Sequence, residues 1–221
     1  MAEGAVKDKI SKYNFSDKSY LGHHEIAKDG VAIVSMVMGG SFITKGDDAL
    51  EKGTKEVGKK VEKEVAEGLR KVFVKNLDET LNKLKQKAKY VLEGTGEYSV
   101  VKGHHTLAKK AFDNVKEYDY KKAFSVKPSA LEDAWKTVNS GVPQNIHAKI
   151  TGQQSSLYTA WKKANPLKKM DMEIMADIEI KAMKNVGIPE DVATGWVVKS
   201  LEEIKINGVT EIKNIPWNGV N

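Results

Sequence analysis

The longest regular pattern in the chain runs between residues 47 and 92. Apolar side chains recur there at Val57, Val61, Val65, Leu69, Phe73, Leu77, Leu81, Leu84, Ala88 and Val91, with no proline between them. Steps of four and three keep such residues on one slowly drifting face, so the spacing predicts one long helix or two consecutive ones. Lysines and glutamates fill the other faces, which reads as a solvated surface rather than a nucleic-acid stripe. Glu93-Gly94-Thr95-Gly96 should end the helix, because glycine takes the left-handed cap at little cost. Residues 97–101, Glu97-Tyr98-Ser99-Val100-Val101, are rich in β-formers and predict a strand leading into Gly103-His104-His105.

Beyond that turn, Leu107, Ala108, Ala111 and Phe112 suit a short amphipathic helix over 106–112, and Tyr118, Tyr120, Ala123 and Phe124 should seat the next loop on the core. A helix is predicted over 129–138, stopped by Asn139-Ser140-Gly141. Pro143 then opens residues 144–150, read as a strand. Period two would place Asn145, His147 and Lys149 on one face and Ile146, Ala148 and Ile150 on the other. Thr151 is the expected cap of a helix over 152–164 carrying Leu157, Tyr158 and Trp161. Two more helices follow. The first, over 171–186, carries Ile174, Ile178, Met183 and Val186 in its stripe, with Met170, Met172 and Met175 as core filler. The second runs from Pro189 to Ile206 and stops at Asn207-Gly208. Ile212, Ile215 and Trp217 should pack the tail back on the body. The pattern is α+β, mostly helical, with strand, histidine pair, connection, second strand and helix together forming a β-β-α unit.

Texture changes along the chain. All five prolines lie at or after Pro128 and three of the four tryptophans follow residue 150, so a domain boundary is expected at Gly94 to Gly96, dividing 1–95 from 96–221. Residues 1–30 are polar, with a turn at Asn14-Phe15-Ser16-Asp17. Gly22-His23-His24 repeats the central tripeptide, but no strand-like run precedes it, and His23 and His24 read as surface residues. The fourteen residues 31–44, VAIVSMVMGGSFIT, are too few for a bilayer span, which needs about 20. They suit a buried helix or hairpin, or a segment that touches a membrane or a chaperone.

Composition narrows the class. Apolar residues make up 40% and charged residues 30%, which describes a globular chain with no stable membrane span. Lys and Arg exceed Asp and Glu by 36 to 30, a net +6 that permits contact with a polyanion without requiring one. Cysteine is absent, so no disulfide is possible and any metal must use His, Asn, Asp or Glu. The opening MAEGAVKDKISKYNF lacks the basic-then-apolar order of a secretory signal, and export by the general route is not expected.

Three of the five histidines, His104, His105 and His147, fall within one 44-residue span. Imidazole binds divalent metals when neutral and titrates near neutrality, so such a group can hold one metal beside one general base. Around these histidines, GHHTLAKKAF, YDYKKAFSV, NIHAKITGQQSSLYTAW and GVTEIKNIPWN, in this order over roughly 96–221, resemble the toxin domains of the HNH/endonuclease VII superfamily that carry a Gly-His-His signature. The resemblance implies a ββα-metal core with added helices and a DNA-cutting endonuclease with one divalent ion, Mg²⁺ first, with Zn²⁺, Mn²⁺ or Ni²⁺ as alternatives. It also implies a secreted effector delivered into the cytoplasm of a competing bacterium, a cognate immunity protein in the producer, and residues 1–95 as a delivery or pre-toxin region. A delivery chaperone or secretion-system component is a further partner.

Carried over residue by residue, the resemblance makes His104 a metal ligand and His105 the general base, and places Asn145 and His147 in the second half of the site. The family pattern ends with a further helical histidine, and this chain has none after His147. His147 is therefore either a ligand or an orienting residue in asparagine's usual role, with Gln153, Gln154 or water filling the gap. Lys102, Lys109, Lys110 and Lys149 are candidates to hold substrate phosphates, beside Gln154. His104 and His105, adjacent on a strand, can share one centre only if the chain bends, which Gly103 would ease. Two alternatives stand beside the DNase: an RNase toxin on the same scaffold, and a non-enzymatic adaptor or structural protein of a secretion system.

Overall fold

The computed structural model describes residues 48–217, with side chains from residue 59 onward. His23, His24 and the apolar stretch 31–44 lie outside the described residues. By contacts the chain forms two compact units, Met1–Leu69 with Leu167–Lys169, and Arg70–Pro166 with Met170–Asn221. The candidate site lies wholly in the second.

The elements are α1 (Asp48–Lys85), β1 (Thr95–Glu97), the one-turn helix α2 (Tyr98–Val101), β2 (His104–His105), a 3-10 turn (Lys109–Phe112), β3 (Phe124–Val126), α3 (Pro128–Lys136), α4 (Ile146–Ala164), α5 (Met172–Asn185) and α6 (Glu190–Ile206). The described residues are α+β, mostly helical, with one small antiparallel sheet of order β1-β3-β2. Among the described residues no helix is long and apolar enough to cross a membrane.

The core explains the order of the layers. Trp196, Val197, Val198 and Leu201 of α6 are fully buried, and Val192 and Ile204 nearly so. A helix apolar on nearly every face must be enclosed, and α6 is covered by α5 and by β3. In turn α5 buries Met172, Met175, Ala176, Ala182 and Met183 and packs against α4. The methionines expected as core filler therefore are that. Asp171 caps α5 by accepting from the Ile174 N–H at 2.9 Å, and Asn76 of α1 accepts from the Met172 N–H at 2.9 Å. Leu77, Leu81 and Leu84 of α1 join the same core, and Ile212, Ile215 and Trp217 of the tail pack on it as expected.

Four local expectations are corrected. First, α1 ends at Lys85 and does not continue to Leu92 or the Gly94–Gly96 break. The chain after it is drawn out along α6: the Lys89 N–H donates to Asp191 O at 2.9 Å, and a Cβ on Gly195 would sit 2.1 Å from Lys89 O. Second, residues 98–101 form a helical turn rather than a strand, closed by the Lys102 N–H on Tyr98 O. Val100 there is 76% exposed, so the β-formers have no sheet to join. Third, the helix predicted over 106–112 is shortened to the 3-10 turn. Fourth, residues 146–150 are not a strand but the first turns of α4. Thr151 is not a cap, since its hydroxyl donates to His147 O within the helix. The sheet partner of the histidine strand is β3, with His104 opposite Val126 and His105 opposite Ser125.

Candidate active site

A two-residue strand carries the histidine pair, and close packing against β3 fixes it. The Gly103 N–H donates to Ser125 Oγ at 3.2 Å. A Cβ on Gly103 would sit 2.0 Å from Val126 O, so glycine is required here for close approach rather than for a bend. The left-handed residue is its neighbour Lys102, at φ 51°.

Adjacent residues on a strand diverge, and the two imidazoles do. His104 is buried and meets the ring of His147 edge-on, with centroids 5.2 Å apart and planes at 79°. His105 stacks on Tyr98 at 4.4 Å and 23°. Both still line one cleft of about 390 Å³, together with Lys102, Lys109, Lys110, His147, Gln154 and the tail residues Pro216 and Trp217. His147 reaches it from the exposed first turn of α4, whose same face continues through Thr151 and Gln154.

Burial holds both strand imidazoles neutral. It pushes His104 down to about 3, with the positive charge of His147 and then His105 adding to the effect. It pushes His105 down to about 4, aided by Lys109 and then His147. Nε2 of His104 and both ring nitrogens of His105 are buried without a hydrogen-bond partner, and a polar atom left in that state lacks the compensation that buried groups normally have. Neutral, unpartnered imidazole nitrogens are what a divalent ion or an incoming proton requires. Among the described residues, however, no three His, Asp or Glu side chains gather so as to hold a metal. The donors fit an ion bound by two imidazoles, with oxygen from outside the protein for the rest.

Of the residues named from sequence, the fold gathers Lys102, His104, His105, Lys109, Lys110, His147 and Gln154. It does not gather Asn145 or Lys149. Asn145 is the exposed left-handed residue ahead of α4, and its side chain makes no capping bond. Lys149 follows His147 by two residues, a rotation of roughly 200° on a helix, and points away as an exposed side chain. Gln153 is turned elsewhere, its Oε1 accepting from Asn185 Nδ2 at 2.8 Å.

Sequence reasoning missed Glu179. It is fully buried, and its carboxylate accepts from the Ala108 N–H at 2.9 Å, Gln154 Nε2 at 2.5 Å and Tyr158 OH at 2.7 Å. Burial pushes it up to about 7 while the Tyr158, Gln154 and Ala108 donors pull it down. The available signal was its place among Met172, Met175, Ala176, Ala182 and Met183: a carboxylate at the spacing of a core stripe. Trp217 was read only as packing. It stacks on Tyr158 at 5.6 Å and also lines the cleft.

Comparison with known proteins adds no relative: no family model matches the chain, nor does any curated protein or solved structure.

Proposed function

We propose that the protein is a metal-dependent endonuclease that hydrolyses DNA phosphodiester bonds, of the ββα-metal kind that the Gly-His-His segments resemble. One observation carries the reading: His104 and His105, both held neutral by burial, share a cleft with His147 and three lysines. The order of elements also favours it, since β2 pairs with β3 and, after the intervening α3, helix α4 carries His147 on its first turn. The resemblance calls for a helical histidine at the end of its pattern, and His147 supplies one.

In this reading His104 and His147 would hold the ion, and when bound it would supply neutralisation of charge on the phosphate and the departing oxygen. Imidazole suits Zn²⁺ or Ni²⁺, whereas Mg²⁺ and Mn²⁺ would be held mainly through water and phosphate oxygens. His105, free of any partner at either nitrogen, takes the proton of the attacking water. Lys102, Lys109 and Lys110 bind the phosphates flanking the cut. The toxic role, the delivery region over 1–95 and the immunity partner rest on the resemblance alone.

The test is a plasmid-nicking assay with Mn²⁺ or Mg²⁺, run beside purified RNA. Metal-dependent cutting of DNA, abolished by EDTA and by His105→Ala, is expected. Undiminished cutting by that variant removes His105 from the mechanism. Degradation of RNA with DNA intact reassigns the substrate. Growth arrest on expression without a protecting partner tests the toxic role.

A further inference from the structure

The histidines that share the cleft come from two elements that no backbone ladder joins: strand β2 with its following loop, and helix α4. A buried side chain from a third element spans them. Glu179 of α5 receives the Ala108 N–H, three residues past His105, on Oε1 and the Gln154 amide of α4 on Oε2, at 2.9 and 2.5 Å. Tyr158, one turn further along α4, adds its hydroxyl to Oε1 at 2.7 Å. His147, Gln154 and Tyr158 follow one another at helical spacing, so a restraint on the latter two is a restraint on the first.

We propose that Glu179 is the positioning residue of the site, clamping the loop after His104 and His105 to the helix bearing His147 so that the imidazoles face one another. This rests on the reading of the cleft as the site of chemistry. Glu179 does not line the cleft and does not touch the substrate; it acts through Ala108 and Gln154. Three donors converge on a carboxyl that has no exposed surface. An apolar residue would leave all three unpaired, and buried donors without acceptors are costly enough to displace the groups that carry them.

The clamp needs acceptor geometry rather than charge. In Glu179→Gln the amide oxygen can keep the Ala108 and Tyr158 donors. The new amide nitrogen can then donate to the Gln154 oxygen once that side chain flips, so every partner is retained. Glu179→Leu retains none, and the double variant Gln154→Leu/Tyr158→Phe cuts both links to α4 while leaving Ala108 bound.

The experiment measures the nuclear Overhauser contact between the His104 and His147 rings in the full chain, without metal, alongside circular dichroism and plasmid cutting. The contact should persist in the wild type and in Glu179→Gln, and be lost in Glu179→Leu and Gln154→Leu/Tyr158→Phe at unchanged helix content. Cutting should fall about 10- to 100-fold in these two disrupting variants and stay near wild type in Glu179→Gln. If Glu179→Leu fails to fold, Gln154→Leu/Tyr158→Phe decides. An undiminished ring contact in folded Gln154→Leu/Tyr158→Phe overturns the proposal, as does its loss in Glu179→Gln. A wild type that cuts no nucleic acid removes the nuclease reading, while the ring contact still decides the clamp.

Discussion

His104, buried on a strand, and His147, exposed on the first turn of α4, stand edge to face at 5.2 Å. Because His147 is exposed, His147→Ala should change stability by no more than about 0.5 kcal/mol. Yet it should remove most of the rise in melting temperature that Zn²⁺ or Mn²⁺ gives the wild type, since ligand binding to the native state alone produces such a rise. Thermal melts with and without each ion make the comparison. A full shift in the variant excludes His147 from the metal centre.

The acid limb of the reaction should lie near pH 4 rather than 6.5, because burial, and then the Lys109 charge, hold His105 down to about 4. Lys109→Gln removes a positive neighbour, so the imidazolium becomes easier to form and the limb should move upward. Cutting rates across pH at constant ionic strength show the direction. A limb that stays put in the variant would mean that Lys109 does not act on the base.

Stability should respond to pH with two opposing signs. His104 is depressed to about 3 from an ordinary 6.5, so its contribution is present above 6.5 and is lost as pH falls toward 3. Glu179 is raised to about 7 from 4.5, so its contribution is full below 4.5 and is lost as pH rises through 7. Glu179→Gln should therefore gain on the wild type in urea melts as pH is raised from acid to neutral, and His104→Gln should soften the loss on acidification. Parallel melting curves for wild type and variant would contradict each assignment.

Glycine at 195 lies in the middle of α6, where alanine would ordinarily favour the helix by about 1 kcal/mol. Gly195→Ala should instead destabilise by about 3 kcal/mol, the scale of overpacking, because its Cβ would stand 2.1 Å from Lys89 O. Gly103→Ala should do similar harm at Val126 O, and should part β2 from β3 as well. Urea unfolding measures both, and a neutral Gly195→Ala would show that the 86–92 segment yields easily.

Much of the helical body was legible from spacing alone. Helices at 128–136, 172–185 and 190–206 fall where periodicity and the stops at Asn139 and Asn207-Gly208 put them. The histidine pair lies on the two-residue strand β2, whereas the expected strand lay ahead of it at 97–101 and the pair at the turn that followed. The segment 144–150 fits both patterns, because the six residues 145–150 alternate polar and apolar, satisfying period two, while also fitting a helix: Ile146 and Ile150, four apart, are the buried ones. Extending the reading to Gln154 and Tyr158 would have favoured the helix, since both continue that buried face.

What the linear order of residues determined was the class of fold, the extent of the C-terminal helices and the three imidazoles worth watching. These follow from local periodicity, which needs no knowledge of neighbours. Only the tertiary structure decided that α1 stops at Lys85, that Gly103 makes room for a strand, that His147 rather than Lys149 faces His104, and that Glu179 ties the two walls together. Each of those depends on what lies opposite across a packed interface, and an interface between residues 23 to 106 positions apart leaves no mark in the spacing of either partner.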